Sequence, residues 1–207
     1  MKAWIAGASG TIGAAVAKRF KELDYNVFTD RVEVLDYDAV RDTADVVRPD
    51  ILINCTGVYA ENPVHLGSVL NWMKVLNVNL TGAFHLTRAV LPYMLERNLG
   101  KIVHLSGGGA AYGKPLCSAY ASSKAGLVRF VECVALETQQ NNVYINAVAP
   151  GPVKSRMNPT AENSPDKVVE LITHLVNSEI TGRLISVYDD YRKSFSEDAC
   201  KLRRMPL

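Results

Sequence analysis

The sequence predicts a single α/β domain in which helices cover both faces of a doubly wound parallel sheet. Short apolar runs alternate with longer amphipathic runs, and the apolar runs are unbroken rather than alternating with polar residues. Burial on both faces is typical of parallel strands joined by helices. The chain of 207 residues is long enough for one such domain, which we place at residues 1–188, with a tail at 189–207.

Each predicted strand is a short apolar run, and each predicted helix has apolar residues that recur three and four positions apart. In chain order, strands are expected at residues 3–6, 26–29, 32–35, 51–54, 102–105, 144–148 and 184–187. Helices are expected at residues 11–23, 38–47, 66–78, 81–97, 119–139 and 166–177. This alternation predicts parallel strands connected by helical crossovers.

The composition is that of an ordinary globular protein, with 48% hydrophobic residues, 21% charged residues and a formal net charge of +2. This balance gives no electrostatic footprint for nucleic acid or a membrane; a basic cluster, Lys201, Arg203 and Arg204, falls in the tail. The cysteines and histidines lack ligand spacing, so no metal site is expected. With no signal peptide and no membrane-length apolar stretch in the sequence, we expect a cytoplasmic protein.

A glycine-rich turn, Gly7-Ala8-Ser9-Gly10-Thr11-Ile12-Gly13, links the first strand to the first helix. Glycines keep such a turn tight and let the backbone approach a pyrophosphate, while the helix N-terminus supplies unpaired N–H groups. The strand before the turn and the helix after it are the context that this motif requires. The sequence therefore predicts a Rossmann-type domain. The expected contacts to a dinucleotide are Gly7, Ser9, Gly10, Thr11, Ile12 and Gly13.

Two charged residues, Asp30 and Arg31, follow the second strand, 17 and 18 residues beyond Gly13. A carboxylate near this distance accepts hydrogen bonds from the adenosine ribose and repels a 2′-phosphate, which favours NAD. The arginine has the opposite effect, and both charges are also compatible with a solvated turn. The sequence thus leaves NAD and NADP open as cofactors, with a slight preference for NAD.

Tyr120 and Lys124 lie four residues apart at the start of the helix predicted at 119–139, so their side chains share one face. A free tyrosine titrates near about pH 10, but a nearby cation favours the phenolate and lowers the pKa. This pair could therefore move a proton at neutral pH. Such pairs also occur by chance on solvated helix faces, so the interpretation depends on the other motifs.

Several motifs occur in a fixed order along the chain and together resemble the short-chain dehydrogenase/reductase family over residues 3–187. They are the glycine turn, Asn54-Cys55-Thr56-Gly57, Asn79 within Val78-Asn79-Leu80-Thr81-Gly82, Ser106, Tyr120 with Lys124, and Pro150-Gly151. The resemblance implies an NAD(P)-dependent oxidoreductase that interconverts an alcohol and a ketone by hydride transfer.

The resemblance also implies a role for each residue of the catalytic set. Tyr120 would be the general acid and base, and Lys124 would lower the pKa of its phenol and hold the nicotinamide ribose. Ser106 would donate a hydrogen bond to the reacting oxygen, and Asn79 would position a water that links Lys124 to solvent.

On the cofactor side, the resemblance places three residues along the adenosine and four along the nicotinamide. Asn54, Gly57 and Asp36 would lie near the adenine and its ribose, with Asp36 at the end of the strand predicted at 32–35. The nicotinamide carboxamide would be held by Pro150, Gly151, Val153 and Ser155.

Three features depart from the family pattern. Thr11 stands where the commonest members have glycine, and the helix between the second and third strands is missing. Ser106 lies 14 residues before Tyr120, whereas the commonest spacing of 13 falls on Gly107. We expect Ser106 to reach the site if the glycine-rich loop 107–109 bulges by one residue, with Ser118 and Ser122 as alternative donors.

The substrate is expected to be a small polar or sugar-derived molecule, because the segment 152–165 is short and polar. A 3-oxoacyl-type reductase, a sugar epimerase and a non-catalytic cofactor-sensing protein remain as alternatives. The resemblance further implies a homodimer or homotetramer that packs through the helices predicted at 81–97 and 119–139. The apolar residues Val90, Leu91, Val128, Val131 and Ala135 are compatible with such an interface.

Overall fold

The computed structural model describes residues 1–189, and the predicted tail lies outside the described residues except for Asp189. Six strands form one fully parallel sheet in the order β2-β1-β3-β4-β5-β6. The strands are β1 (Lys2–Ala6), β2 (Asn26–Phe28), β3 (Ile51–Asn54), β4 (Gly100–Leu105), β5 (Val143–Ala149) and β6 (Leu184–Ser186). This confirms the predicted α/β class with its doubly wound parallel sheet.

The helices are α1 (Thr11–Glu22), α2 (Tyr37–Val47), α3 (Val69–Leu76), α4 (Gly82–Glu96), α5 (Ser118–Glu137) and α6 (Asp166–Val176). Helices α1 and α6 pack on one face of the sheet, around a core that includes Ile5, Phe20 and Ile172. Helices α2, α4 and α5 cover the other face, around a core that includes Trp4 and Leu86. The central strands β1, β3, β4 and β5 are almost wholly buried because both of their faces are covered, whereas the edge strands β2 and β6 are partly exposed.

The strand predicted at 32–35 is wrong. These residues form a turn in which the Asp36 N–H donates to the Glu33 carbonyl over 3.0 Å, and α2 begins immediately afterwards. Val34 is nevertheless buried, because it packs against Gly82 at the start of α4. The apolar character of this run is therefore explained by packing against a helix and not by strand formation. Asp36 is the N-cap of α2 and accepts a hydrogen bond from the Ala39 N–H.

The helix predicted at 66–78 is shorter than expected and leads into a π-helical turn, Asn77–Thr81, which joins α3 to α4. The side chain of Ser68 caps α3 at its N-terminus, so the preceding residues form a loop. Single π-turns inside helices are frequent at functional sites. Here the π-turn places the buried side chain of Asn79 at the inner side of the long α3–α4 segment.

The apolar residues expected at a subunit interface are mostly used by the chain's own core. Val90, Val131 and Ala135 are fully buried within the subunit, and Leu91 and Val128 pack partly buried against the same core. Three of the five side chains therefore serve the subunit's own core, and assembly through α4 and α5 stays a prediction. The exposed apolar side chains of α4 and α5 include Phe84 and Leu136 instead.

Candidate active site

The glycine turn lies at the carboxyl end of β1, against the end of β3. Gly7 has a φ of +80°, and a β-carbon there would stand 2.8 Å from the carbonyl carbon of Cys55. A β-carbon on Gly13 would meet the carbonyl oxygen of Gly7 and stand 2.8 Å from the α-carbon of Ala8. Both positions therefore require glycine for reasons of close backbone approach.

Helix α1 begins directly after this turn, with Gly10 as its N-cap and no side chain on its terminal N–H groups. The first turn of α1 carries no acidic residue, so the positive end of the helix dipole is not compensated there. A cradle that additional β-carbons would fill, at an uncapped helix N-terminus, fits the pyrophosphate of a dinucleotide. Ser9 and Thr11 are exposed at this end, and Ile12 is partly buried beside them.

Asp30 and Arg31 follow β2 and are both exposed. Strand β2 pairs with β1 in parallel, with Phe28 beside Trp4, so the two charged residues leave the sheet at the same edge as the glycine turn. The side chain of Asp36 is occupied as the α2 cap, as described above.

Asn54, at the end of β3, is held inside a buried hydrogen-bond chain. Its Oδ1 accepts from the N–H and the hydroxyl of Thr56, over 2.9 and 2.6 Å. Its Nδ2 lies 3.1 Å from Nδ1 of His104, and Nε2 of His104 lies 2.9 Å from the hydroxyl of Thr87. The Thr87 hydroxyl donates to the Ala83 carbonyl, so it accepts from His104 Nε2–H, and Nδ1 accepts from Asn54. The Asn54 side chain thus fixes the strand end.

The side chain of Asn79 clamps the loop that follows β3. Its Oδ1 accepts from the Val58 N–H over 2.8 Å, and its Nδ2 donates to the Val58 carbonyl over 3.0 Å. The same amide group donates to the hydroxyl of Ser123, which in turn donates to the Tyr120 carbonyl. Asn79 therefore ties the loop after β3 to the helix that carries Tyr120.

Lys124 is buried at the centre of the site. Its Nζ donates to the Leu105 carbonyl over 2.7 Å and lies 3.7 Å from the point where a β-carbon would stand on Gly57. Burial lowers the pKa of Lys124 to about 8, since the charged form loses its hydration. The ammonium also lies 5.7 Å from the centre of the Tyr120 ring.

The pKa of Tyr120 is shifted opposite to the direction expected from the sequence. Burial raises the pKa of its phenol, with a smaller contribution from Cys117. The ammonium of Lys124 is bonded to the Leu105 carbonyl and lies 5.7 Å from the centre of the ring. Desolvation of the phenol therefore sets the direction of the shift.

Ser106 and Gly107 have different relationships to Tyr120. The hydroxyl of Ser106 is buried and donates to the Lys124 carbonyl over 3.4 Å. Gly107 lies against the phenol, and a β-carbon there would stand 2.6 Å from the Tyr120 hydroxyl oxygen. Gly107, at the commonest family spacing, thus contacts the hydroxyl, whereas the Ser106 side chain is directed into the helix.

The segment after β5 forms another wall near the same edge of the sheet. Gly151 has a φ of +65°, and a β-carbon there would stand 2.8 Å from the hydroxyl of Tyr188. Val153 is buried and pairs with Asn163, while the Ser155 hydroxyl accepts from the Asn158 N–H. Pro150 lines a cavity of about 90 Å³ together with Lys167 and Tyr188. The polar segment 152–165 is therefore folded on itself.

A larger cavity of about 260 Å³ opens beside the first turn of α5. Its walls are mainly apolar and include Ala60, Val64, Trp72, Leu116 and Ala119. The expectation of a polar substrate rested on the segment 152–165, whereas the walls of this cavity are mainly apolar. Among the described residues, no group of three or more potential metal ligands is present and no helix could cross a bilayer.

Sequence reasoning missed one side chain that touches Tyr120. Tyr59 packs its ring against the Tyr120 ring with centroids 5.0 Å apart and an interplanar angle of 79°. The signal in the sequence was weak: an aromatic residue two positions after Gly57, in a segment with no periodicity.

The comparisons with known proteins agree with this geometry. The family model described as short chain dehydrogenase matches residues 37–166. The chain belongs to the short-chain dehydrogenase/reductase family. It is therefore an NAD(P)-dependent reductase or dehydrogenase.

Individual members of this family show how far the similarity extends. Over 180 residues the chain is 31% identical to 3-oxoacyl-(acyl-carrier-protein) reductase of Thermotoga maritima, covering 75% of this chain and 73% of that protein. It is 31% identical over 191 residues to acetoacetyl-CoA reductase of Allochromatium vinosum, covering 80% and 78%. An actinorhodin polyketide ketoreductase with NADPH superposes with a TM-score of 0.83 at 22% identity, over 90% of this chain and 95% of that one.

Proposed function

We propose that this short-chain dehydrogenase/reductase interconverts a ketone and an alcohol, with Tyr120 as the proton donor and acceptor. The observation that carries the proposal is the convergence of Tyr120, buried Lys124 and the glycine cradle at one edge of the sheet. A bound nicotinamide cofactor would provide the hydride chemistry at the substrate carbon. Tyr120 gives its proton to the substrate oxygen in reduction and takes it back in oxidation.

The other residues of the site prepare Tyr120 for this step. Lys124 is a cation within reach of the ring and of the surface above Gly57, where it would hold a ribose hydroxyl and favour the phenolate. Ser106 remains our candidate for a second hydrogen-bond donor to the substrate oxygen, after a rotation of its side chain away from the Lys124 carbonyl. Asn79 fixes the loop after β3 relative to Tyr120.

Cofactor contacts are proposed along the carboxyl edge of the sheet. The pyrophosphate would lie on the turn from Gly7 to Gly13, and the adenosine ribose would lie near Asp30 and Arg31. Gly57 would pass beneath the ribose next to Lys124, and the turn at Pro150 and Gly151 would face the nicotinamide. We keep NAD and NADP as alternatives with a slight preference for NAD, since Asp30 is the first charged side chain after β2.

The substrate proposed from the sequence is small and polar or sugar-derived. The apolar cavity beside α5 favours a second candidate, a 3-oxoacyl-type thioester whose acyl chain would enter that cavity. Two similar proteins named above are reductases of this type.

The test combines cofactor binding with turnover. NADH and NADPH are titrated by nucleotide fluorescence, and turnover is then measured with acetoacetyl-CoA, small ketones and aldoses. We expect Tyr120→Phe to retain nucleotide binding and to lose turnover by about 10²-fold or more. Ser106→Ala should lose about tenfold or more in kcat if its hydroxyl reaches the substrate. Full turnover in Tyr120→Phe would refute the proposed role of Tyr120, and binding without turnover on any of these substrates would mean that the substrate belongs to another chemical class.

We further propose that the protein assembles as a homodimer or homotetramer through α4 and α5. The exposed apolar side chains of Phe84 and Leu136 support this proposal, because each is more than 40% exposed in the isolated subunit. Light scattering should give at least twice the chain mass of 22.7 kDa. Phe84→Glu should shift that mass towards one chain, whereas a wild-type mass of one chain would refute assembly.

A further inference from the structure

We propose that Tyr59 is a positioning residue for Tyr120: its ring fixes the orientation of the Tyr120 ring and excludes water from it, while Glu61 and Cys117 hold Tyr59 by its hydroxyl. The functional consequence rests on the proposed role of Tyr120 as acid and base. The structural part does not depend on any substrate.

The contact between the two rings is specific in its geometry. The centroids lie 5.0 Å apart and the planes are nearly perpendicular, so the edge of one ring meets the face of the other. Such edge-to-face pairs stabilise the relative orientation of the two rings in addition to burying their area. Tyr120 is therefore held by Tyr59 on one side, while Gly107 lies against its hydroxyl.

The hydroxyl of Tyr59 has two partners of its own. It donates to Oε1 of Glu61 in a short hydrogen bond, and it lies 3.1 Å from Sγ of Cys117. The same Oε1 accepts from Nζ of Lys114 over 3.2 Å. The hydrogen bond from Tyr59, followed by the charge of Lys114, lowers the pKa of Glu61, so the carboxylate stays ionised. Burial first, and then these hydrogen bonds, raise the pKa of Tyr59, so the phenol stays a donor.

The backbone around Tyr59 is fixed at both ends. The preceding residue, Val58, exchanges two hydrogen bonds with the side chain of Asn79. Further along, the Asn62 N–H donates to the Leu116 carbonyl over 2.7 Å. Cys117 directly precedes α5, the helix that carries Tyr120. Tyr59 is thus anchored at the N-terminus of α5, the helix that carries Tyr120.

The groups that surround Tyr120 explain what the loss of Tyr59 should do. Tyr120 faces Lys124 on its own helix and Cys117 at the N-cap of that helix. From the loop after β3 it faces Tyr59, behind which lies the Glu61–Lys114 ion pair. Since burial is the main cause that raises the pKa of Tyr120, admitting water in place of the Tyr59 ring should lower that pKa.

The experiment is a pH titration of the protein labelled with [ζ-¹³C]tyrosine, followed by NMR, with the Tyr120 resonance assigned from Tyr120→Phe. In Tyr59→Leu we expect the Tyr120 midpoint to fall by half a pH unit or more. Tyr59→Phe keeps the ring and should shift it less. Tyr93→Leu removes another tyrosine bonded to a carboxylate, that of Asp45 on α2, and should leave the Tyr120 midpoint unchanged.

Kinetics give a second readout once a substrate is found: the basic limb of the kcat profile should move with the NMR midpoint while KM stays constant. A folded Tyr59→Leu protein with an unchanged Tyr120 midpoint overturns the inference. If Tyr59→Leu does not fold, Glu61→Ala, a substitution at an exposed position, provides the test instead. Loss of the carboxylate frees the Tyr59 hydroxyl and should also lower the Tyr120 midpoint. A midpoint shift in Tyr59→Leu together with full turnover in Tyr120→Phe would refute the proposed function and retain this inference.

Discussion

The Tyr120 hydroxyl oxygen lies 2.6 Å from the position that a β-carbon would occupy on Gly107. The same β-carbon would stand 3.4 Å from two ring atoms of Tyr120. The backbone of Gly107 is extended, with φ 177° and ψ 169°, so any residue could adopt its conformation. The glycine is therefore needed for space and not for backbone freedom.

Gly107→Ser, which restores the commonest serine spacing of the family, should impair the enzyme. The added atoms must displace the Tyr120 phenol, and overpacking of this kind costs about 1–3 kcal/mol in stability. We expect at least a tenfold loss of kcat with nucleotide binding retained. Gly113→Ala is the control, because a β-carbon there has no heavy atom within 4 Å. Wild-type turnover in Gly107→Ser would show that the site accommodates a side chain at this position.

Lys124→Met should make the protein more stable at pH 7 and inactive. Burial lowers the pKa of Lys124 to about 8 from an unfolded value of 10.5, so the protonated group destabilises the folded state below about pH 8. A neutral side chain of similar length removes that penalty but leaves the Leu105 carbonyl without its donor. The net gain expected is about 1–3 kcal/mol.

The pH dependence of the stability difference between wild type and Lys124→Met tests the direction of the Lys124 pKa shift. Between about pH 8 and 10.5 the unfolded state binds more protons at this lysine, so wild-type stability should rise with pH relative to Lys124→Met. Chemical denaturation of both proteins at several pH values measures the difference. A constant gap between the two proteins over this range would mean that the lysine titrates normally in the folded state.

Much of the site could be predicted from sequence because it depends on short local patterns. The glycine turn is recognised from the strand before it and the helix after it. Tyr120 and Lys124 share a helix face because residues four positions apart on a helix always do. The prediction of a strand at 32–35 was wrong because Val34 is buried against Gly82. That contact spans 48 residues of the chain, and an apolar run does not reveal it. Tyr59 was missed for the same reason, since its contact with Tyr120 spans 61 residues.

The direction of the Ser106 side chain could not be predicted either. Spacing along the chain identifies which residues reach the end of β4, but the side-chain rotamer decides which atoms face the phenol. The acceptor that holds the Ser106 hydroxyl is a backbone carbonyl of α5, which any residue at position 124 would supply. No residue identity in the sequence encodes that partner.

His104 should make the protein sensitive to mild acid. Burial, followed by the charge of Lys124, lowers the pKa of His104 to about 3, and both ring nitrogens have partners, Asn54 and Thr87. Below about pH 6.5 the unfolded state binds a proton that the folded state does not. Stability should therefore fall from pH 6.5 towards pH 3 by up to about 1.4 kcal/mol per pH unit.

Denaturation curves of wild type and His104→Gln check this prediction. The variant should be less stable at pH 7, where its network is imperfect, and should lose less stability than wild type on acidification. His65→Gln, at an exposed position, is the matched control and should follow the wild-type curve. Parallel pH profiles for wild type and His104→Gln would show that His104 becomes protonated without unfolding the protein.

The two charges after β2 should decide the cofactor. Asp30 and Arg31 are both exposed at the edge of the sheet next to the glycine turn, where we propose that the adenosine ribose would lie. If NAD is the cofactor, Asp30→Ala should weaken NADH binding by about tenfold and strengthen NADPH binding, because it removes a ribose acceptor that repels a phosphate. Arg31→Ala should then weaken NADPH binding only. Fluorescence titrations of wild type and both variants with both nucleotides give six affinities, and an unchanged NADH-to-NADPH ratio in Asp30→Ala would place the ribose away from this carboxylate.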